Sequence, residues 1–285
     1  MGRLFGTDGA RGIANTELSC EISMQIGRAT AMVLSKYLNV KSPKILIGMD
    51  TRASSQMLEG AITSGLCSVG ADVLHIGVVP TPAVAYLVRK YSCDAGIMIS
   101  ASHNPCEYNG IKIFQSNGFK LPDSFENEIE EIILDNVVEI PKPTGGDVGG
   151  VSRKENAIDD YIMHLLSATD VNFNGYKVAL DCANGSSSAS AKKVFTRLGA
   201  EVIVINDKPD GVNINKNCGS THLDALQKCV VENKCDLGFA FDGDADRMLA
   251  VDNTGKIVDG DKCVAICAKH MKENGELEKD TVVVT

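Results

Sequence analysis

At 285 residues the chain is long enough for roughly two domains, each with a core of its own. A formal charge of -9 leaves no basic footprint, so nucleic acid and anionic membrane are poor partners, and an acidic protein that handles phosphate must concentrate its positive charge, or a metal, at one site. No apolar run reaches the length of a membrane span and the start MGRLFGTDGARG is neither an apolar leader nor a transit peptide; the expectation is a soluble, cytoplasmic protein.

In chain order, RLFGTDGAR at residues 3–11 reads as a tight loop. Its glycines let the backbone approach a ligand and Arg11 offers a fork-shaped phosphate donor, although a flexible turn with a solvated arginine fits the same residues. Ile22, Ile26, Ala29, Val33 and Tyr37 recur at helical spacing, with Ser19 as the N-cap. Strand-like residues 44–49, helical residues 57–69, strand-like residues 73–76, a helix over 82–91 and a strand over 95–99 follow. This alternation predicts an α/β fold of consecutive three-layer α/β/α domains with mixed, largely parallel sheets. Asp50-Thr51-Arg52 follows a strand, so its polar groups lie along a sheet edge, or Arg52 is simply at the surface. Residues 123–138 form an acidic helix with Ile129, Ile132 and Ile133 on one face and its charges solvated. PKPTGGDVGG, ending at Gly150, marks a boundary and places the first domain at 1–150.

A second α/β unit is expected over 151–254: a helix at 157–167, a strand at 177–181, a helix at 188–198, a strand at 201–205, a helix after Thr221 and a strand at 237–241. Thr221 and Asp224 have capping-box spacing. A hairpin over 248–258 turns through Asn253-Thr254-Gly255, and residues 255–285 begin a third unit that ends on TVVVT, a strand of buried type. The 10 cysteines are scattered singly with no CxxC pair, which predicts reduced, mostly buried thiols; Cys263 and Cys267 share a helical face without the further ligands zinc needs.

Two stretches carry chemistry. The strand over 95–99 delivers the chain into Ser102, His103 and Asn104, with Asn109-Gly110 and Lys112 close behind, and α/β proteins bind ligands where strands end in short loops. Ser102 reads as a nucleophile, a phosphate carrier or a mere turn former; His103 and Asn104 can donate to an anion; Lys112 can hold a charge or shuttle a proton. Adjacent Ser-His side chains point apart and no G-x-S-x-G surrounds Ser102, which argues against a Ser-His-Asp hydrolase. The second stretch is DGDADR, directly after the strand at 237–241. Asp242, Asp244 and Asp246 repel one another by about 1 kcal/mol per close pair in water and more as the site dries, and a bound hard cation such as Mg²⁺ is the natural remedy. An EF-hand fails on Arg247 and Asn253 at the positions that need Gly and Glu, and an aspartyl-nucleophile phosphatase fits Asp246 poorly.

With SASHNP at 100–105, NGIK at 109–112 and DGDADR at 242–247, the chain resembles the α-D-phosphohexomutase superfamily. GRLFGTDGARG, VVPTPAVAYL from Val78 and LDCANG from Leu180 look most like its phosphoglucosamine mutase branch, and the similarity covers essentially the whole chain. The resemblance implies a phosphoserine at Ser102, Mg²⁺ held by Asp242, Asp244 and Asp246 with the Ser102 phosphate, Lys112 as general acid/base, and Arg11, His103 and Arg247 around the transferring group. It further implies interconversion of glucosamine 6-phosphate and glucosamine 1-phosphate through a 1,6-bisphosphate for UDP-N-acetylglucosamine synthesis, with glucosamine 1,6-bisphosphate or glucose 1,6-bisphosphate as activating donor, a phosphosugar substrate and a homodimer. The family's sugar loop G-E-x-S-G and the phosphate-holding loop of its fourth domain do not occur here, so the expectation is a truncated chain that keeps a two-domain fold with little or no turnover. The alternatives are a phosphomannomutase or phosphoglucomutase, and a non-catalytic fragment that binds a phosphosugar or a protein.

Overall fold

The computed structural model describes residues 3–282. The first part of the chain runs β1 (Ala10–Ile13), α1 (Cys20–Leu38), β2 (Lys44–Met49), α2 (Ala53–Cys67), β3 (Asp72–Val78), α3 (Thr81–Lys90), β4 (Ala95–Ile99), β5 (Tyr108–Gln115), α4 (Asp123–Leu134), β6 (Val151–Arg153) and α5 (Ala157–Ser167). Its sheet has the order β1-β5-β4-β2-β3-β6. The block β4-β2-β3-β6 is parallel, while β5 runs antiparallel to β4 and to β1. Alternation sorts the central strands between two apolar layers: Ile45, Ile47, Ile97 and Ile99 pack with α1, α2 and α4, whereas Leu46 and Met98 pack with α3 and α5. Burial on both faces is why these strands read as continuous apolar runs.

The second part contains β7 (Lys177–Asp181), α6 (Ala191–Arg197), β8 (Glu201–Ile205), α7 (Asp224–Glu232), β9 (Leu237–Phe241), β10 (Met248–Asp252), β11 (Ile257–Val258) and α8 (Gly260–Glu273). Its sheet has the order β11-β10-β9-β7-β8, parallel at β8-β7-β9 and antiparallel beyond. Ala179 faces the layer of α7, and Val178 and Leu180 face the layer of α6. The three-layer α/β/α reading therefore matches the architecture. No helix among the described residues is long and apolar enough to cross a membrane.

Several sequence expectations move. The loop at 3–11 ends in β1, and the segment after Ser102 returns as β5, so this loop joins two antiparallel strands and does not lead into a helix. The first sheet continues through β6, past residue 150, and β11 extends the second sheet past residue 254. Ser19 caps α1, accepting from the Ile22 N–H. The Thr221 capping box does not form: Asp224 is the first residue of α7, too early to reach back, and Thr221 ends a 3-10 turn that begins at Gly219. The acidic helix stops at Leu134, with Asn136 left-handed just beyond it. In TVVVT, residues 283–285 lie outside the described residues and Thr281 and Val282 belong to no strand. All 10 cysteines are free.

Candidate active site

Because β2 and β4 are parallel neighbours, the residues that follow them, Asp50 and Ser100, leave the sheet at the same edge. Ser100 Oγ donates to Asp50 Oδ2 at 2.6 Å and accepts from the Ser102 N–H at 3.0 Å. The chain then reverses through Ser102, whose φ of +54° is the left-handed region that costs a non-glycine residue about 1–2 kcal/mol. Asp50 and Arg52 form an ion pair at 2.9 Å with both side chains fully buried, so the alternative that put Arg52 at the surface is wrong. Burial pushes the Asp50 carboxyl up, opposed by Arg52 and by the Ser100 hydroxyl.

The loop after β9 meets this turn from the second sheet. A Cβ on Gly243 would stand 2.6 Å from the Ser102 carbonyl oxygen, so only glycine allows the two loops to touch. Ser102 Oγ, wholly buried, donates to Asp242 Oδ2 at 2.6 Å and accepts from Arg247 Nη2 at 2.8 Å. Arg247 Nη2 also stands 2.9 Å from His103 Nδ1. A guanidinium can only donate, so His103 is a neutral imidazole accepting at Nδ1; burial and the nearby Arg247 and Arg11 lower its pKa accordingly.

Lys112, on β5, is buried with its Nζ 2.9 Å from Asp244, 3.4 Å from Asp246 and 3.2 Å from Asp8. Burial alone would lower the lysine, but these carboxylates outweigh it and hold Nζ as an ammonium. Burial likewise pushes Asp244 up, yet Lys112 and a 2.7 Å hydrogen bond from the Thr81 hydroxyl keep it below the usual carboxylate range. Asp242 has only the Arg247 Nε, at 3.5 Å, as its cation; burial, then the charge of Asp244, push it up to about 6.

The structure thus brings Ser102, His103, Lys112, Arg247, Asp242, Asp244 and Asp246 together across two sheets. Arg11 reaches the cluster only through Asp8, with which it pairs and which in turn contacts Lys112. Sequence reasoning missed Asp8, Thr81 and Asn215, and left Asp50 and Arg52 without a role. Asp50 and Arg52 had a usable signal, a charged pair at a strand end; Asn215 sits in an irregular run, NINKN, that carried none.

One oxygen from each of Asp242, Asp244 and Asp246 lies within 4.8 Å of the others. Asp244 Oδ1 is buried without a hydrogen-bond partner. An orphaned carboxylate oxygen costs several kcal/mol of desolvation in order of magnitude, and a hard cation that takes oxygen ligands would satisfy it. The donor set therefore fits Mg²⁺ chemically.

Comparison with known proteins agrees with this arrangement. Residues 2–137 match the family described as phosphoglucomutase/phosphomannomutase, alpha/beta/alpha domain I, and residues 159–255 match its domain II. Over 285 residues the chain is 57% identical to a phosphoglucosamine mutase of Clostridium novyi and 56% identical to one of Clostridium acetobutylicum, in each case 100% of this chain and 63% of the relative. A solved phosphoglucomutase/phosphomannomutase family protein from Burkholderia thailandensis superposes with a TM-score of 0.79 at 25% identity, covering 95% of this chain and 59% of that one. The chain thus spans a little under two thirds of the length of the curated relatives it matches.

Proposed function

The chain belongs to the phosphoglucomutase/phosphomannomutase family, and from that premise we propose that it carries the phosphoserine machinery of a phosphoglucosamine mutase. Ser102 is the phosphate carrier. In charging, Ser102 Oγ bonds phosphorus as the bond from phosphorus to a sugar oxygen breaks, and one proton passes from the serine to the departing oxygen with Lys112 Nζ as the relay. Unloading onto glucosamine 6-phosphate reverses these bonds and produces the 1,6-bisphosphate; return of its other phosphate leaves glucosamine 1-phosphate. Likeness to glucosamine mutases at 57% identity supports the amino sugar.

The observation that carries this reading is the position of Ser102 Oγ, buried between the Asp242 carboxylate of one loop and the Arg247 guanidinium, at 2.6 and 2.8 Å. Phosphoryl transfer needs positioning and charge neutralisation more than covalent machinery. Arg247 neutralises charge on the transferring group, and neutral His103 orients Arg247. Arg11 is held by Asp8, which in turn contacts Lys112. Asp242, Asp244 and Asp246 would hold Mg²⁺, which when bound offsets their mutual repulsion and neutralises phosphoryl oxygens. Lys112, as an ammonium, presents the proton that a departing sugar oxygen needs.

Intact-mass measurement tests the reading: after incubation with glucose 1,6-bisphosphate and Mg²⁺, one phosphate is expected on the chain and none on Ser102→Ala. A chain that stays unmodified, or a Ser102→Ala chain that gains the same mass, overturns it. The sugar loop G-E-x-S-G is not among these 285 residues. For them we expect phosphoserine formation with little turnover of glucosamine 6-phosphate in a coupled assay; brisk turnover would refute that part alone.

A further inference from the structure

We infer that Arg52 and Asn215 form a two-sided clamp that sets the Ser102 hydroxyl for transfer, one jaw from each sheet; the inference rests on the phosphoserine reading. Arg52 spends Nε on Asp50 and turns both terminal nitrogens toward the serine loop. Nη2 donates to the carbonyls of Ser102 and Asn104, both at 2.9 Å, and Nη1 to those of Tyr108, at 3.0 Å, and Pro105. From the other side Asn215 Nδ2 donates to the same two carbonyls, Ser102 at 2.9 Å and Asn104 at 3.1 Å.

The doubly held carbonyl of Ser102 belongs to the residue whose backbone is left-handed. Serine gains nothing intrinsic from that conformation, so the donors must hold it there. With the carbonyl side of the residue fixed, relaxing Ser102 out of its left-handed φ would re-aim the Cα–Cβ bond and carry Oγ away from Asp242 and Arg247. Asn215 is itself fixed: its backbone is left-handed, φ +58°, and its N–H donates to the Ala183 carbonyl at 2.9 Å. The clamp therefore closes only when the two sheets are docked, a contact also made by Thr51 Oγ1 to the Asn184 carbonyl at 2.6 Å and by the Ala53 N–H to the Gly211 carbonyl at 2.9 Å. Lysine cannot replace Arg52, because one ammonium lacks the planar fork that reaches Asp50 and four carbonyls at once. Neither side chain contacts Ser102 Oγ among the hydrogen bonds of the site, so both are positioning residues.

The test is the rate at which the 285-residue chain acquires phosphate on Ser102, followed by intact mass against glucose 1,6-bisphosphate concentration at fixed Mg²⁺. Two variants are used. Arg52→Lys keeps a charge beside Asp50, and Asn215→Gly removes one jaw while suiting the left-handed backbone. For a hydroxyl displaced by a fraction of an ångström to an ångström, the maximal rate is expected to fall about tenfold in Asn215→Gly and about a hundredfold in Arg52→Lys, with the half-saturating donor concentration within about twofold of wild type. Circular dichroism and thermal melting accompany each variant. Unchanged maximal rates in folded variants overturn the clamp. So does a rate loss in Asn215→Gly that merely tracks the unfolded fraction. Failure of the wild-type chain to take up phosphate overturns the phosphoserine reading itself, and the clamp with it.

Discussion

The Ser102 loop and the Asp242–Arg247 loop both leave buried strands and meet at Ser102 Oγ, which donates to Asp242 and accepts from Arg247, but they are held by opposite means. The serine loop is fastened by groups already present in the chain: Ser100 on its N–H, Arg52 and Asn215 on its carbonyls, and Asp50 as the buried counter-charge of Arg52. The acidic loop keeps a surplus of negative charge. Lys112 serves Asp244 and Asp246, Arg247 lies 3.5 Å from Asp242, and Asp244 Oδ1 is still left over. The difference teaches that one half of the site is preorganised by protein alone, while the other keeps an unmatched carboxylate oxygen that a ligand of positive charge would satisfy.

The largest expected effect tests the self-sufficient half. Asp50→Ala leaves the Arg52 guanidinium buried without a counter-ion, and urea unfolding should show a loss of about 3–5 kcal/mol. A loss below about 1 kcal/mol would mean that the serine loop does not depend on this pair. Next comes the unfinished half. Mg²⁺ at about a hundred times its dissociation constant should stabilise the wild-type chain by about 2.7 kcal/mol relative to EDTA, read as a rise in melting temperature. Asp244→Asn should abolish most of that rise, and equal rises in both proteins would break the comparison.

The smallest effect should come from outside both loops. Glu130 accepts the N–H groups of Arg3, Leu4 and Phe5 at 2.9, 2.6 and 2.7 Å, fastening the segment that leads to Asp8 and Arg11. Burial pushes its carboxyl up, but these three donors outweigh burial and its pKa lies below the ordinary value. A depressed folded pKa contributes stability above the unfolded value, near 4.5, and that contribution is lost as pH falls through the folded value. Glu130→Gln should therefore cost about 1–2 kcal/mol at pH 7, with the gap from wild type closing in denaturant titrations below about pH 4. Its Mg²⁺ response should match wild type; a lost response would show that the acidic loop depends on the N-terminal segment.

Much of this was legible from local patterns. Ile45, Leu46 and Ile47 announce a strand buried on both faces because an unbroken apolar run is a property of consecutive residues. Ser102 and the three aspartates stood out because each lies in a compact polar stretch beside a strand, and Lys112 because it follows Asn109-Gly110 as a lone charge between Ile111 and Ile113. Strand β1 was missed since a four-residue strand beginning at Ala10, just after Gly9, reads as loop. The Thr221 cap was misread because spacing alone cannot show that the helix begins three residues later.

The sequence by itself determined the class of fold, the two loops and the kinds of groups in them, since these depend on residue type and short-range periodicity. It could not say that Thr81 bonds Asp244, 163 positions away, that Arg52 and Asn215 grip the same carbonyls, or that Asp244 keeps an orphaned oxygen. Those facts arise only when two sheets dock, because hydrogen bonds act over about 3 Å and the groups that make them are brought within that range by packing far from either loop.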